Sequence, residues 1–397
     1  MKSDKKIKSN HIIALLFLLF ITFFTLTNLS HVAKSARNIL LDGGRNITSE
    51  ISTLTSAFDE KVHLKYAFLD LNGRVHKLLG KRTMNNVTKL NNGYLASLIG
   101  SGGTMERQSQ MMIDLYRRLD EKNIPMIYVQ APGKISKYDK QLPPGTADMS
   151  NENTDNFISG MRDGSIPVLD IREEIEKSEL DHYSMFFRTD HHWTPEGGFF
   201  DYTKIMEKLA DFGYTADPDK LDIDNYEKEH YRGYFLGSTG RRTGSVYAGV
   251  DDISLVYPKF STDLSLNVPS KEIIRRGSYK DAIFDYTHLE SDDYYTTSPY
   301  STYIGGDYPL VIHENKEAEN DKTILLVRDS FSLPVQSFLT LSISRMHVID
   351  LRYYTDQSLL EYVDQLKPDL VIFLYNVNIF GDDTMFQFGM ENESAQP

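Results

Sequence analysis

The stretch TILLVRDSF, residues 323–331, decides the fold. An apolar run stops at a charged pair and a serine, a helical stretch follows, and the pattern recurs in MHVIDLRYY (346–354) and DLVIFLYN (369–376). Strands that read apolar on both faces need helices on both faces, so three of them joined by helical connections predict a β-α-β-α-β unit. The same alternation lies upstream. A helical pattern over 105–121, with Met111, Met112, Leu115 and Leu119 on one face, leads into IPMIYVQ (124–130), and IPVLD (166–170) leads into IREEIEKS (171–178). A further helix is expected over 195–213, with Pro195 near its start and Gly213 as its stop. The expected architecture is α/β with a parallel central sheet.

Turn signals fill in the remainder. The segment 62–82, VHLKYAFLDLNGRVHKLLGKR, reads as a β-hairpin turning at Asn72-Gly73, and Asn91-Asn92-Gly93 repeats the turn signal before YLASL (94–98). Residues 214–320 are rich in Tyr and Asp and in turn signals, which predicts an elaborated insertion whose loops and hairpins wall a cleft. No internal repeat stands out.

The N-terminus sets the compartment. MKSDKKIKSN carries four lysines and one aspartate, and Ile12 to Leu29 has no charged residue. Eighteen residues at 1.5 Å each reach roughly 27 Å, close to the apolar thickness of a bilayer. A basic flank ahead of such a run reads as a signal-anchor or signal peptide that keeps the lysines inside. HVAKSAR (31–37) is a poor cleavage site, so retention as an anchor is the reading adopted. The expected organisation is flank and anchor over 1–29, a juxtamembrane linker or start of the domain over 30–60, and one domain over 61–390 that contains the 214–320 insertion. The net charge of −13 argues against nucleic acid as a partner, since no basic stripe interrupts it. The absence of cysteine removes thiol nucleophiles, disulfides and thiolate metal sites.

Two constellations carry chemistry. Ser330 follows the 323–328 strand and precedes a helix, a place where open sheets gather ligands and where helix N–H groups can face an oxyanion. An N-cap serine would occupy the same position. In FFRTDHHWTPEGG (186–198), Asp190 and His192 stand two apart, so a carboxylate can orient an imidazole that takes a serine proton, with His191 pointing away. Trp193, the only tryptophan, packs either beside the site or in the core, and Thr194 is a helix cap. Asp190, His191 and His192, joined by His182 or His230, also compose a possible divalent-metal set.

Asp190-His191-His192-Trp193 followed by Thr-Pro-Glu-Gly, together with Asp329-Ser330-Phe331, resembles the DHHW protein family of Gram-positive bacteria, itself similar to the SGNH-hydrolase-like domain of alginate O-acetylation proteins. The resemblance spans roughly residues 60–380. It implies a three-layer α/β/α, flavodoxin-like fold with Ser330 as nucleophile, His192 as base and Asp190 as orienting carboxylate. Arg328 stands where ordinary esterases of this kind carry glycine. The substrate-binding and oxyanion candidates are Asn376, Tyr375, Lys134, Arg328 and Trp193. The expected reaction is O-acetylation of a cell-surface or exported polysaccharide, with a carbohydrate O-acetylesterase or a noncatalytic polysaccharide-binding or assembly protein as alternatives. No cofactor or metal is required, and the resemblance implies that a membrane-bound O-acyltransferase supplies the acyl group at the extracytoplasmic face of the membrane.

Overall fold

The computed structural model describes residues 11–29, 64–215, 217–318 and 320–390. The basic flank 1–10 and the 30–60 linker lie outside the described residues. Two compact units divide the chain, residues 1–72 and 73–397. In the first, His11–Leu29 is a helix long and apolar enough to cross a membrane, with a mean hydropathy of 2.4.

The strands are β1 Thr83–Met84, β2 Val87–Lys89, β3 Leu95–Ala96, β4 Met126–Gln130, β5 Val168–Asp170, β6 Tyr226–Phe235, β7 Asp251–Pro258, β8 Leu264–Val268, β9 Ile273–Gly277, β10 Leu310–Asn315, β11 Thr323–Arg328, β12 Arg345–Ile349 and β13 Leu370–Tyr375. Eight of them form one sheet in the order β5-β4-β13-β11-β12-β10-β8-β9. From β5 to β12 every neighbour pair is parallel. The strands read from their apolar runs, β4, β5, β11, β12 and β13, are these five.

Side-chain alternation along the central strands sorts the core into two layers. Ile127, Val129, Ile324, Leu326 and Ile372 pack with Phe199, Ile205, Leu333 and Phe338 of the helices Pro195–Leu209 and Ser332–Leu339. Tyr128, Leu325, Val327 and Phe373 pack on the other face with Leu115, Phe157 and Val363 of the helices Glu106–Asp120, Ser150–Asp163 and Leu359–Leu366. Helix, sheet and helix therefore form the three layers expected.

The insertion does more than wall a cleft. Its β8 and β9, with β10, join the sheet as antiparallel strands beyond β12, so the sheet as a whole is mixed. β8 alternates buried and half-buried positions, the signature of a strand with one face in the core, whereas β13 is buried throughout. β6 and β7 pair separately as a hairpin.

The hairpin expected over 62–82 is absent. Lys65–Leu78 is an α-helix. Leu64, Phe68, Leu71, Val75 and Leu78 repeat at spacings of four and three, a helical period that the Asn-Gly pair obscured. Gly73 serves close packing instead of a turn, because a Cβ there would lie 2.6 Å from the Thr243 carbonyl oxygen. Gly93, by contrast, does turn the chain, at φ 89°, between β2 and β3.

Candidate active site

The carboxyl ends of β11, β13 and β4 converge, and Asp329 joins the first two. Its Oδ1 accepts the Phe331 N–H at 2.9 Å, and its Oδ2 accepts both the Asn376 N–H and the Asn376 side-chain amide at 2.7 Å. The turn bearing Ser330 is thus tied to the end of β13. Trp193 Nε1 donates to the Phe331 carbonyl at 2.7 Å, and the Tyr300 hydroxyl reaches the carbonyls of Ser330 and Phe331 at 3.2 and 3.3 Å. Ser330 does not cap the next helix. The N-cap is Phe331, without a side-chain bond, and the Ser330 hydroxyl lies instead 2.7 Å from His192 Nε2.

His192 precedes the helix Pro195–Leu209, whose N-cap is Thr194. Its Nδ1 is 2.5 Å from Asp190 Oδ1, which also accepts the His192 backbone N–H at 2.9 Å. The carboxylate folds back over two residues and holds both ring and backbone. Because Asp190 can only accept, it selects the tautomer with hydrogen on Nδ1 and leaves Nε2 free to accept from Ser330. Burial alone would raise the Asp190 carboxyl. Electrostatic interaction with the His191 and His192 rings, with hydrogen bonds from His192 and the Ser238 N–H, outweighs burial and holds it well below the ordinary carboxylate range. Tyr300 stacks on the His192 ring, with centroids 4.2 Å apart and planes at 13°, and so limits its tilt.

The insertion grips this loop from outside. Ser238 N–H donates to Asp190 Oδ2 at 2.5 Å, Gly237 N–H to Thr189 Oγ1 at 3.0 Å, and Asp251 accepts the Thr189 N–H and hydroxyl at 2.7 and 2.8 Å. Gly237 has an ordinary extended backbone, but a Cβ there would sit 2.2 Å from Asp190 Cβ and 2.4 Å from its Cα. Gly237→Ala is therefore expected to displace Asp190 and lower turnover about 10²-fold at nearly unchanged KM. Steady-state kinetics on an activated acetyl ester check this, and unchanged kcat would show that the contact is not needed.

The remaining candidates from the sequence divide clearly. Trp193 is buried beneath the site and acts on the Ser330 turn through Phe331. Asn376 is at the site, though its amide donates to Asp329 and its Oδ1 accepts the Asn378 N–H at 2.7 Å. Among the described residues nothing accepts from the Ser330 N–H, which leaves that donor open to an oxyanion. Lys134 is buried, and its ammonium donates to the carbonyls of Phe187 and Asp190. Burial lowers its pKa to about 8. It binds the chain's own loop and does not present an open cation.

Two candidates are corrected. Tyr375 faces the opposite layer, fully buried, with its hydroxyl donating to the Met385 carbonyl at 2.9 Å. Arg328 is fully buried and pairs with Asp307 and, at 3.1 Å, with Asp350, a network that Arg352 completes by binding Asp350 at 2.6 Å. Tyr375 alternates onto the far face of the sheet, and Arg328 is taken up by its own carboxylates, which their positions at strand ends did not reveal.

Asp190, His191 and His192 bring one ligand atom each within 4.8 Å of one another. In this structure each of these donors is engaged by a protein partner. Both His192 nitrogens face Asp190 and Ser330, and His191 Nδ1 is 2.6 Å from Ser238 Oγ. His182 Nε2 is bonded to the Gly133 carbonyl and His230 Nδ1 to Ser254, and neither belongs to that group. A cleft of about 310 Å³ opens beside His191, lined by Ser97, Lys134, Ser238, Arg242 and Asn378 among others. Tyr300, Gly237 and Ser238 are the site residues that the sequence reading did not assign. Gly237 and Ser238 fall within the turn-rich segment 214–320, whereas Tyr300, one of twenty-four tyrosines, carried no signal of its own.

Residues 95–250 match the family described as SGNH hydrolase-like domain, acetyltransferase AlgX, a span that contains Asp190 and His192 and ends before Ser330. A search of the curated proteins gave no match. Among solved structures, Bacillus cereus PatB1 with a sulfonyl adduct is similar at 20% identity and a TM-score of 0.62, covering 76% of this chain and 99% of that one. A second PatB1 structure gives 22% and 0.61, with 74% and 97% covered. A DHHW family protein from Eubacterium siraeum gives 16% and 0.57, with 76% and 95% covered. The structural likenesses are likenesses of fold. Together with the family match they bear out the resemblance read from the two motifs.

Proposed function

We propose, from the premise that this chain is an SGNH-hydrolase-like protein similar to the alginate O-acetylation family, that it is a serine-dependent O-acyltransferase acting on a cell-surface or exported polysaccharide. The observation that carries the reading is His192, which bridges Asp190 and Ser330 through its two ring nitrogens. In the first half-reaction His192 Nε2 takes the proton as Ser330 Oγ attacks the acyl carbonyl, and the leaving group departs with that proton. An acyl-Ser330 ester remains. In the second, His192 takes the proton of a sugar hydroxyl whose oxygen attacks the ester, and returns it to Ser330. Asp190 stays ionised and stabilises the imidazolium, while the Ser330 N–H faces the developing oxyanion.

The sulfonyl adduct described for PatB1, a protein of similar fold, accords with this reading. The helix His11–Leu29 would hold the domain at the extracytoplasmic face, within reach of an acyl group delivered by a membrane-bound O-acyltransferase.

Intact mass of the full chain in detergent, after exposure to an activated acetyl ester, tests the proposal. An acetyl adduct mapped to Ser330 and absent from Ser330→Ala is expected. Added glycans then accept the group if the protein is a transferase, whereas release to water alone identifies an esterase. A folded chain that forms no adduct would place the protein among binding or assembly proteins.

A further inference from the structure

The helix Lys65–Leu78 presents an apolar stripe that the fold leaves in solvent. Leu64, Phe68, Leu71, Val75, Leu78 and Leu79 are all exposed, Leu78 at 81% and Leu79 at 65%. At 3.6 residues per turn Phe68, Leu71, Val75 and Leu78 fall within an arc of about 80°, one apolar face of an amphipathic helix, and Leu64 and Leu79 adjoin its two ends. Gly73 lies on the far side of the helix, against Thr243 and Tyr247, so the stripe points away from the packed face. Large aliphatic side chains in a continuous row, unlike scattered single ones, mark an interaction surface.

Charge identifies the occupant. From 64 to 82 the chain carries the cations Lys65, Arg74, Lys77, Lys81 and Arg82 against the single acid Asp70, within a protein of net charge −13. An apolar stripe on a basic segment is complementary to anionic lipid headgroups over acyl chains. It suits a second copy poorly. Lys65 and Arg74 flank the stripe on either side, and two such helices would bring like charges together where paired helices carry opposite ones. Phe68, near the start of the stripe, also packs edge-on against Phe20 and Phe24 of the apolar helix, with ring centroids 6.1 and 5.9 Å apart.

We infer that the helix Lys65–Leu78 lies in the membrane–water interface with this stripe among the acyl chains of anionic lipid. The inference rests on reading residues 12–29 as a membrane-crossing segment, and it adds a second, peripheral contact with the bilayer.

The chain has no cysteine, so single cysteines can be introduced without background. Phe17→Cys, Leu71→Cys, Leu78→Cys and the exposed Glu290→Cys, each labelled with a polarity-sensitive fluorophore, would be reconstituted as full chain in nanodiscs of phosphatidylcholine with phosphatidylglycerol. Lipids bearing nitroxides on their acyl chains serve as quenchers. The expected result is quenching and a blue shift at 17, 71 and 78 but not at 290, with the signals at 71 and 78 weakened when phosphatidylglycerol is left out. Quenching at 17 with 71 and 78 behaving like 290 overturns the interfacial helix and leaves the anchor standing. Loss of quenching at 17 overturns both. Disulfide-linked dimers of unlabelled Leu71→Cys, formed in place of lipid contact, overturn it in favour of a copy-to-copy interface.

Discussion

Replacing Asp190 with asparagine is expected to lower turnover of an activated acetyl ester about 10⁴-fold while the chain stays folded. The carboxylate accepts three hydrogen bonds, from the His192 N–H, from His192 Nδ1 and from the Ser238 N–H. An amide has one oxygen for these three donors. If that oxygen faces His192, its NH2 group meets the Ser238 N–H, donor against donor. If it faces Ser238, the NH2 group donates to Nδ1 and moves the imidazole hydrogen to Nε2, where it can no longer take the Ser330 proton. The second arrangement removes the acceptor at Nε2 without removing the side chain, and the first keeps it only against a donor–donor clash that pushes the new amide off Ser238 and loosens the imidazole. Acyl-enzyme formation followed by stopped-flow and intact mass checks the prediction, and turnover within about tenfold of wild type would show that Asp190 does not set the tautomer. The same contacts link the site to stability. Because the folded-state pKa is depressed, the stabilisation is complete above the ordinary carboxylate value and is lost as pH falls through the lower folded value.

Arg328→Ala is expected to cost about 3–5 kcal/mol of folding stability, with little change in KM for any substrate that the folded fraction turns over. The guanidinium is fully buried, and it neutralises Asp307 and Asp350 together with Arg352. Removing it leaves two carboxylates to one cation in the interior, where an unpaired charge is far more costly than in water, and it opens a void under the sheet. Urea unfolding of the full chain in detergent, monitored beside steady-state kinetics, measures both quantities. A variant of wild-type stability with a raised KM would return Arg328 to the substrate-contacting role that its place beside Asp329-Ser330 suggested.

These two residues also mark where local reading succeeds and where it stops. Asp190 and His192 are close in sequence, so the chemistry of two-residue spacing was enough to expect a carboxylate oriented on an imidazole, and an apolar run ending in a serine was enough to place Ser330 at a strand's carboxyl end. Arg328 and Tyr375 sit at strand ends as well. Which way a side chain points there depends on the alternation of the strand and on what covers each face, and only the packed sheet supplies that. Lys134 shows the same limit: a lysine after a strand reads as a ligand for an anion, yet the carbonyls it binds belong to residues more than fifty positions away.

The insertion and the helix Lys65–Leu78 show it at larger scale. Turn signals in 214–320 announced loops, but pairing of β8 and β10 with the sheet is a long-range contact with no local signature. Tyr300, Gly237 and Ser238 reach the site by the same route. In 62–82 the Asn-Gly pair favours a turn and the apolar spacing favours a helix, and the conflict resolves where Gly73 packs against Thr243.

By itself the sequence determined what short-range physics controls: an apolar N-terminal segment of membrane-crossing length, apolar strands that demand helices on both faces, and a serine and a histidine–aspartate pair in loops at element ends. The tertiary structure alone decided that Ser330 and His192, 138 positions apart, stand 2.7 Å from each other, and that an insertion residue stacks on the imidazole that links Asp190 to Ser330. Hydrophobic periodicity is a local property that survives in a linear text. A distance between two side chains far apart in the chain is the sum of many packing contacts, each between residues whose neighbours in space are strangers in sequence.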